Sequence, residues 1–174
     1  TVTWKITNKA DPCVARLADD HYSRQHKGSR QFSPPGRTLV LFVPGAQWPF
    51  RAAAAWVWWH PHENSPMPRM DGFQGWWHCS LFRNESHLRA SELIKEAVGL
   101  VTQEWGIPPF GYDTYVQPDK VQPIRVHGVP TPGWCYVKAG WTLSNHWTKD
   151  GKKVRLFLGN TPETAPAGAD VQGA

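Results

Sequence analysis

At 174 residues the chain has the length of one domain and can bury a sizeable core. Hydrophobic residues make up 40% and charged residues 19%, which excludes a disordered polyelectrolyte, and no apolar run is long enough to span a bilayer. The formal charge of +5 admits a nucleic-acid partner without demanding one.

In chain order, 1–7 (TVTWKIT) reads as a first strand, and Asp11-Pro12 starts a short helix over 13–20. The next stretch, 21–37, carries Arg24, Lys27, Arg30 and Arg37 with aromatic Tyr22 and Phe32 among them, broken by Gly28, Pro34, Pro35 and Gly36. It reads as a long structured loop, and cations interleaved with rings and hydroxyls suit a phosphate backbone plus an unstacked base. Strands are expected at 38–43, 52–59 and 75–82. The last feeds a polar turn, Arg83-Asn84-Glu85-Ser86, and a helix over 90–105. On that helix Ala90, Leu93, Ile94, Ala97, Val98, Val101 and Trp105 form one apolar stripe. Ser86 or Ser91 is expected to cap its start, and Gly106 with Pro108 to stop it. A strand entering a helix through such a turn brings amides and a helix N-terminus together, a spot suited to an anion.

A strand at 111–116, an irregular stretch at 117–131, a short helix around 137–141 ended by Gly140, and a hairpin about Asp150-Gly151 complete the pattern. Residues 161–174 read as a disordered tail. The order describes a mixed α/β sheet with helices packed on it.

Eleven tryptophans exceed what a core of this size needs, so some are expected to line a groove. Cys13, Cys79 and Cys135 are far apart and form no C-x-x-C pair; they read as buried, inert thiols of a soluble cytoplasmic protein without a signal peptide. His60, His62 and Glu63, with His78 and Cys79, could supply metal ligands, although surface histidines at a strand end are the simpler reading. Phosphate loops of the Walker and dinucleotide types are absent.

Several segments together carry a resemblance: His21-Tyr22-Ser23-Arg24 through Pro34-Pro35-Gly36-Arg37, Leu81-Phe82-Arg83-Asn84-Glu85, Thr114-Tyr115-Val116, and Pro132-Gly133-Trp134-Cys135-Tyr136 with Lys138-Ala139-Gly140-Trp141. In this order they resemble the GNAT acyltransferase core, and more closely the phage Mom-like DNA-modification proteins, a divergent GNAT-like group. The resemblance implies a GNAT-like mixed central sheet flanked by helices in a single domain, residues 1–160. It further implies modification of adenine N6 in double-stranded DNA with a carbamoylmethyl-type group, protecting phage DNA from host restriction.

On that basis His21, Ser23, Arg24, Lys27, Arg30 and Arg37 are expected to face DNA, with Tyr22 or a nearby tryptophan stacking on an everted adenine. Arg83, Glu85, Ser91, Asp113 and Tyr136 are expected to join Tyr22 in catalysis, with Glu85, Asp113 and Tyr136 as candidates to take the N6 proton. Asn84, Ser86 and Lys138 are expected to hold the donor. The family association with iron points to His21 with Tyr22, and next to His60 with His62. A dimer is compatible with these features. Ordinary acetyl-CoA enzymes place a glycine-rich loop where this chain reads Arg83-Asn84-Glu85-Ser86-His87-Leu88-Arg89-Ala90, so the donor stays open. The alternatives are a GNAT-fold acyltransferase acting on a protein or small-molecule amine, and a non-catalytic DNA-binding anti-restriction module.

Overall fold

A computed structural model describes residues 3–21, 24, 27–30, 32–61, 69–120, 124–126 and 129–160. Seven strands form one sheet: β1 (Lys5–Thr7), β2 (Arg37–Val43), β3 (Ala54–His60), β4 (Trp76–Asn84), β5 (Gly111–Val116), and the pair β8 (Thr142–Trp147) and β9 (Val154–Gly159). Their spatial order is β1-β2-β3-β4-β5-β9-β8. Every neighbouring pair is antiparallel except β4 and β5, which are parallel and joined by the helix α2 (Ala90–Trp105). A separate small hairpin pairs β6 (Ile124–Val126) with β7 (Val129–Thr131).

Two cores sandwich the sheet. On one face Leu39, Leu41, Trp56 and Trp58 meet Leu93, Ile94, Ala97 and Val101 of α2. The indole N–H of Trp58 donates to the Ala97 carbonyl at 3.0 Å, and that of Trp4 to Leu93 at 2.8 Å. On the other face Val40, Phe42, Ala55 and Val57 meet Cys13, Val14 and Leu17 of α1 (Pro12–Ala18). The strict alternation along β2 and β3 is the period of two expected of strands covered on both sides. The helix α3 (Trp134–Lys138) packs on the α2 face through Tyr136.

The stripe on α2 is where its periodicity places it, and Gly106 ends the helix with φ of 84°. The expected serine cap is corrected. The N-cap residue is Arg89, without a side-chain bond; Ser86 is engaged with Asn84, and Ser91 lies buried inside the first turn. Three element limits are also corrected. β4 runs on to Asn84, α3 begins at Trp134 after Gly133 adopts a left-handed φ of 69°, and 117–131 holds a 3-10 turn and the β6–β7 hairpin. The turn after β8 closes as expected: Asp150 accepts from the Thr148 hydroxyl and the Lys152 amide, and Gly151 takes φ of 71°. Among the described residues no helix is long and apolar enough to cross a membrane. The expected tail, 161–174, lies outside the described residues.

A crevice where two parallel strands part

β4 and β5 pair from Trp76↔Gly111 to Cys79↔Thr114 and no further, although both strands continue. The reason sits on the other edge of β4. There Val57 pairs with Leu81 and Trp58 with Cys79, leaving Ser80 as an extra residue, a β-bulge. The faces agree: Cys79 packs into the α2 core and Leu81, two residues on, into the α1 core. The bulge bends β4 away from β5 at the carboxyl ends of both strands, the place where open α/β sheets take ligands.

The gap is a crevice of about 510 Å³. His78, Cys79 and Leu81 of β4 and Thr114 and Tyr115 of β5 line it, with Tyr136 of α3 entering from the α2 face. The segment expected to face DNA supplies its cover: His21, Arg24, Phe32, Ser33, Pro34 and Pro35 all border the crevice. Gly36 lets this cover press against β3. Its φ is 153°, and a Cβ there would collide with the Trp59 ring nitrogen, which instead donates to the Pro35 carbonyl at 3.0 Å. Trp59 is thus a groove-lining tryptophan, while Trp56, Trp58 and Trp76 are fully buried.

Behind β5 lies a buried ionic cluster. Asp113 is wholly buried and accepts from Arg69 at 3.0 and 2.9 Å, from Arg155 at 3.0 Å, and contacts His78 Nδ1 at 3.0 Å. Burial opposes ionisation of Asp113, but His78 and Arg69 outweigh it and hold the carboxyl well below the usual carboxylate range. Asp71 accepts from Arg69 and from the Tyr115 hydroxyl at 2.8 Å. Burial and the Asp71 bond push the Tyr115 phenol up. Burial also lowers His78, and it lowers His21 to about 4 with help from Arg83 and Lys153. Cys13 and Cys79 are pushed up to about 12 and Cys135 to about 11, chiefly by burial, as inert thiols should be.

Of the residues expected to carry the chemistry, Tyr136 and His21 reach the crevice; Tyr22, Ser23 and His62 lie outside the described residues. Arg83 and Glu85 form a rim network instead. Arg83 Nε donates to Glu85 at 2.6 Å, and Arg51 bridges Glu85 and Asp20. Burial raises the Glu85 carboxyl less than its arginine bonds lower it, so it is a poor proton acceptor. Asp113, gripped by two guanidiniums, is a poorer one. Ser91 is buried in α2, and Lys138 is exposed and does not border the crevice.

Arg24 is turned inward. Its side chain is 4% exposed, bonded to Asp19 at 2.8 Å and to the Ser29 carbonyl, so it ties the loop down rather than reaching for a phosphate. Arg37 lies over the Trp105 ring on the α2 face. Lys27 and Arg30 remain exposed. His60 stacks on Trp77 and meets Trp105 edge to face on the α2 face, whereas His78 faces the opposite side, so they do not share a ligand site. Among the described residues no three His, Cys, Asp or Glu side chains converge as a metal set, and the expected iron site finds no support there. Tyr115 and Lys153 in the wall were not anticipated as site residues, and His78 was anticipated only as a possible metal ligand; the alternation of β5 beside β4 was the one available signal for Tyr115.

The turn at the start of α2 is bonded to itself. The Glu85 amide donates to Ala53, the Ser86 amide to Asn84 Oδ1 at 3.0 Å, and the Leu88 amide to Ser86 Oγ at 3.2 Å, while Asn84 Nδ2 donates to the Leu88 carbonyl. The amides of Glu85, Ser86 and Leu88 are thus taken, and the Glu85 carboxylate already occupies the neighbouring arginines, whereas the first-turn amides of α2 have no side-chain cap.

No protein-family model matches the chain, and neither does any curated protein. Among solved structures it is similar to the crystal structure of an acyl-CoA N-acyltransferase from Pseudomonas aeruginosa. The TM-score is 0.53 at 12% identity, over 88% of this chain and 97% of that one. The architecture is accordingly that of the GNAT-like acyltransferase fold: a mixed seven-stranded sheet flanked by helices.

Proposed function

We propose that this protein is a transferase that places a small carbon group on an amine nitrogen held in the β4–β5 crevice, and that the amine is adenine N6 in DNA. The observation that carries the first half is the bulge-opened crevice at the ends of two parallel strands, in a fold shared with an N-acyltransferase. The second half draws on the walls. Phe32, Trp59, Phe82, Tyr115 and Tyr136 offer ring faces and edges. Among the described residues no acidic side chain borders the space, and Lys27 and Arg30 stand exposed on the covering segment. Stacking on such rings offsets the few kcal/mol that everting a base costs. The resemblance to Mom-like proteins points the same way.

A second reading has its own support. The neighbouring structure is of an acyl-CoA N-acyltransferase, which bears more directly on an acyl-CoA donor and a protein or small-molecule amine than on DNA. An acyl-CoA is therefore the first donor to test.

Purified protein incubated with duplex DNA, a peptide and polyamine panel, and donors drawn from cell extract separates the two. Mass gain on deoxyadenosine supports the DNA reading. Mass gain on a lysine or polyamine alone supports the second.

A further inference from the structure

His78 is fixed at both ends of its ring chemistry. Its Nδ1 lies 3.0 Å from Asp113 Oδ1, and Asp113, bonded by Arg69 and Arg155, is an acceptor only. Nδ1 must then carry the proton, which leaves the lone pair on Nε2. The side chain is 13% exposed and forms part of the crevice wall, so Nε2 is the ring nitrogen left for a bound molecule. The Trp59 ring meets it edge to face at 6.2 Å and Tyr115 at 5.6 Å, which hold its plane.

We infer that His78 takes the proton from the acceptor amine, with Asp113 as the positioning residue that sets its tautomer and supports the imidazolium. This rests on the transferase reading. In the step, the amine lone pair forms a new bond to an electrophilic donor carbon, the bond from that carbon to its leaving group breaks with the electron pair going to the leaving group, and the amine proton passes to Nε2. Asp113 does not receive it, because Arg69 and Arg155 keep it ionised.

The surroundings suit a neutral base. Asp113 and Tyr115 of β5, Arg69 and Asp71 from the segment ahead of β4, and Arg155 of β9 face the cluster; its two carboxylates balance its two guanidiniums. The neutral imidazole completes an uncharged set, consistent with burial lowering His78 from its ordinary value. It is thus unprotonated near pH 7 and able to accept.

Two measurements test this. Turnover of folded His78→Gln and His78→Ala is expected to fall about 10²–10⁴-fold with ligand binding kept, and added imidazole is expected to restore part of it in His78→Ala. Wild-type rates in both variants would overturn the assignment while leaving the transferase reading intact. Ring-nitrogen NMR of the wild-type protein reads the dyad without turnover. A proton on Nδ1 and a bare Nε2 support it; a proton on Nε2 overturns it. If wild-type protein modifies no amine at all, the transferase reading fails, and the catalytic role of His78 fails with it whatever the tautomer.

Discussion

Arg155 and Asp113 meet 3.0 Å apart with both side chains wholly buried. The rest of the arginine is held by rings. Its guanidinium carbon lies 3.7 Å from the centre of Phe73 and 4.4 Å from Trp76, and its two terminal nitrogens have no hydrogen-bond partner among the described residues. Cation–π attraction replaces the missing bonds. Removing one member of such a buried pair strands the other. Arg155→Met is expected to destabilise the fold by about 3–5 kcal/mol, read by urea unfolding, and Arg155→Lys to restore only part, because an ammonium keeps the charge but not the planar stacking on the rings. A loss within experimental error for Arg155→Met would show the cluster to be dispensable.

The bulge at Ser80 sets which face every later residue of β4 presents. Deleting Ser80 restores regular pairing with Leu81 still opposite Val57 and Phe82 still opposite Trp56, so it removes the bend and leaves the side chains in their cores. The variant is expected to keep cooperative unfolding, followed by circular dichroism, and to lose ligand binding as the crevice closes. A shortened chain with the parent's melting point and ligand binding would mean that the crevice does not depend on the bulge.

His21 makes stability depend on pH. Its folded value is about 4, against 6.5 unfolded, because burial and the charges of Arg83 and Lys153 disfavour the cation. The neutral form's contribution is complete above pH 6.5 and is lost as pH falls toward 4, since the unfolded chain takes the proton first. The slope is at most about 1.4 kcal/mol per pH unit. His78, also lowered, adds in the same direction, whereas the Asp113 contribution persists until far lower pH. His21→Gln is expected to flatten denaturant-derived stability between about pH 6.5 and 4.5; an unchanged slope would place the proton uptake elsewhere.

Much of this was legible in the chain. The alternation of β2 and β3 and the stripe of α2 are strong periodic signals, and Asp150-Gly151 is local turn chemistry. The crevice was harder. Ser80 carries no mark of a bulge, which arises from the match of β4 to β3. Asp113 looked like a base because its partners, Arg69 and Arg155, reach it from 44 and 42 residues away. Arg24 looked like a phosphate ligand until Asp19 and Ser29 claimed it.

DNA affinity is accordingly expected to respond to Lys27 and Arg30 rather than Arg24. Lys27→Ala with Arg30→Ala should lower the slope of log K against log salt by roughly 0.9 for each phosphate left without its cation. Arg24→Ala should lower the melting temperature and leave that slope alone. Fluorescence anisotropy across a salt series separates the two, and an unmoved slope in the double variant would remove this segment from the DNA interface.

The most direct test is nucleoside mass spectrometry on DNA from cells expressing the protein, beside cells expressing His78→Gln. A heavier deoxyadenosine is expected with the native chain and its loss or steep decline with the variant, the added mass giving the transferred group. Unchanged nucleosides from cells in which the folded protein accumulates, alongside newly acylated lysines or polyamines, would contradict adenine as the acceptor and establish the acyltransferase reading in its place.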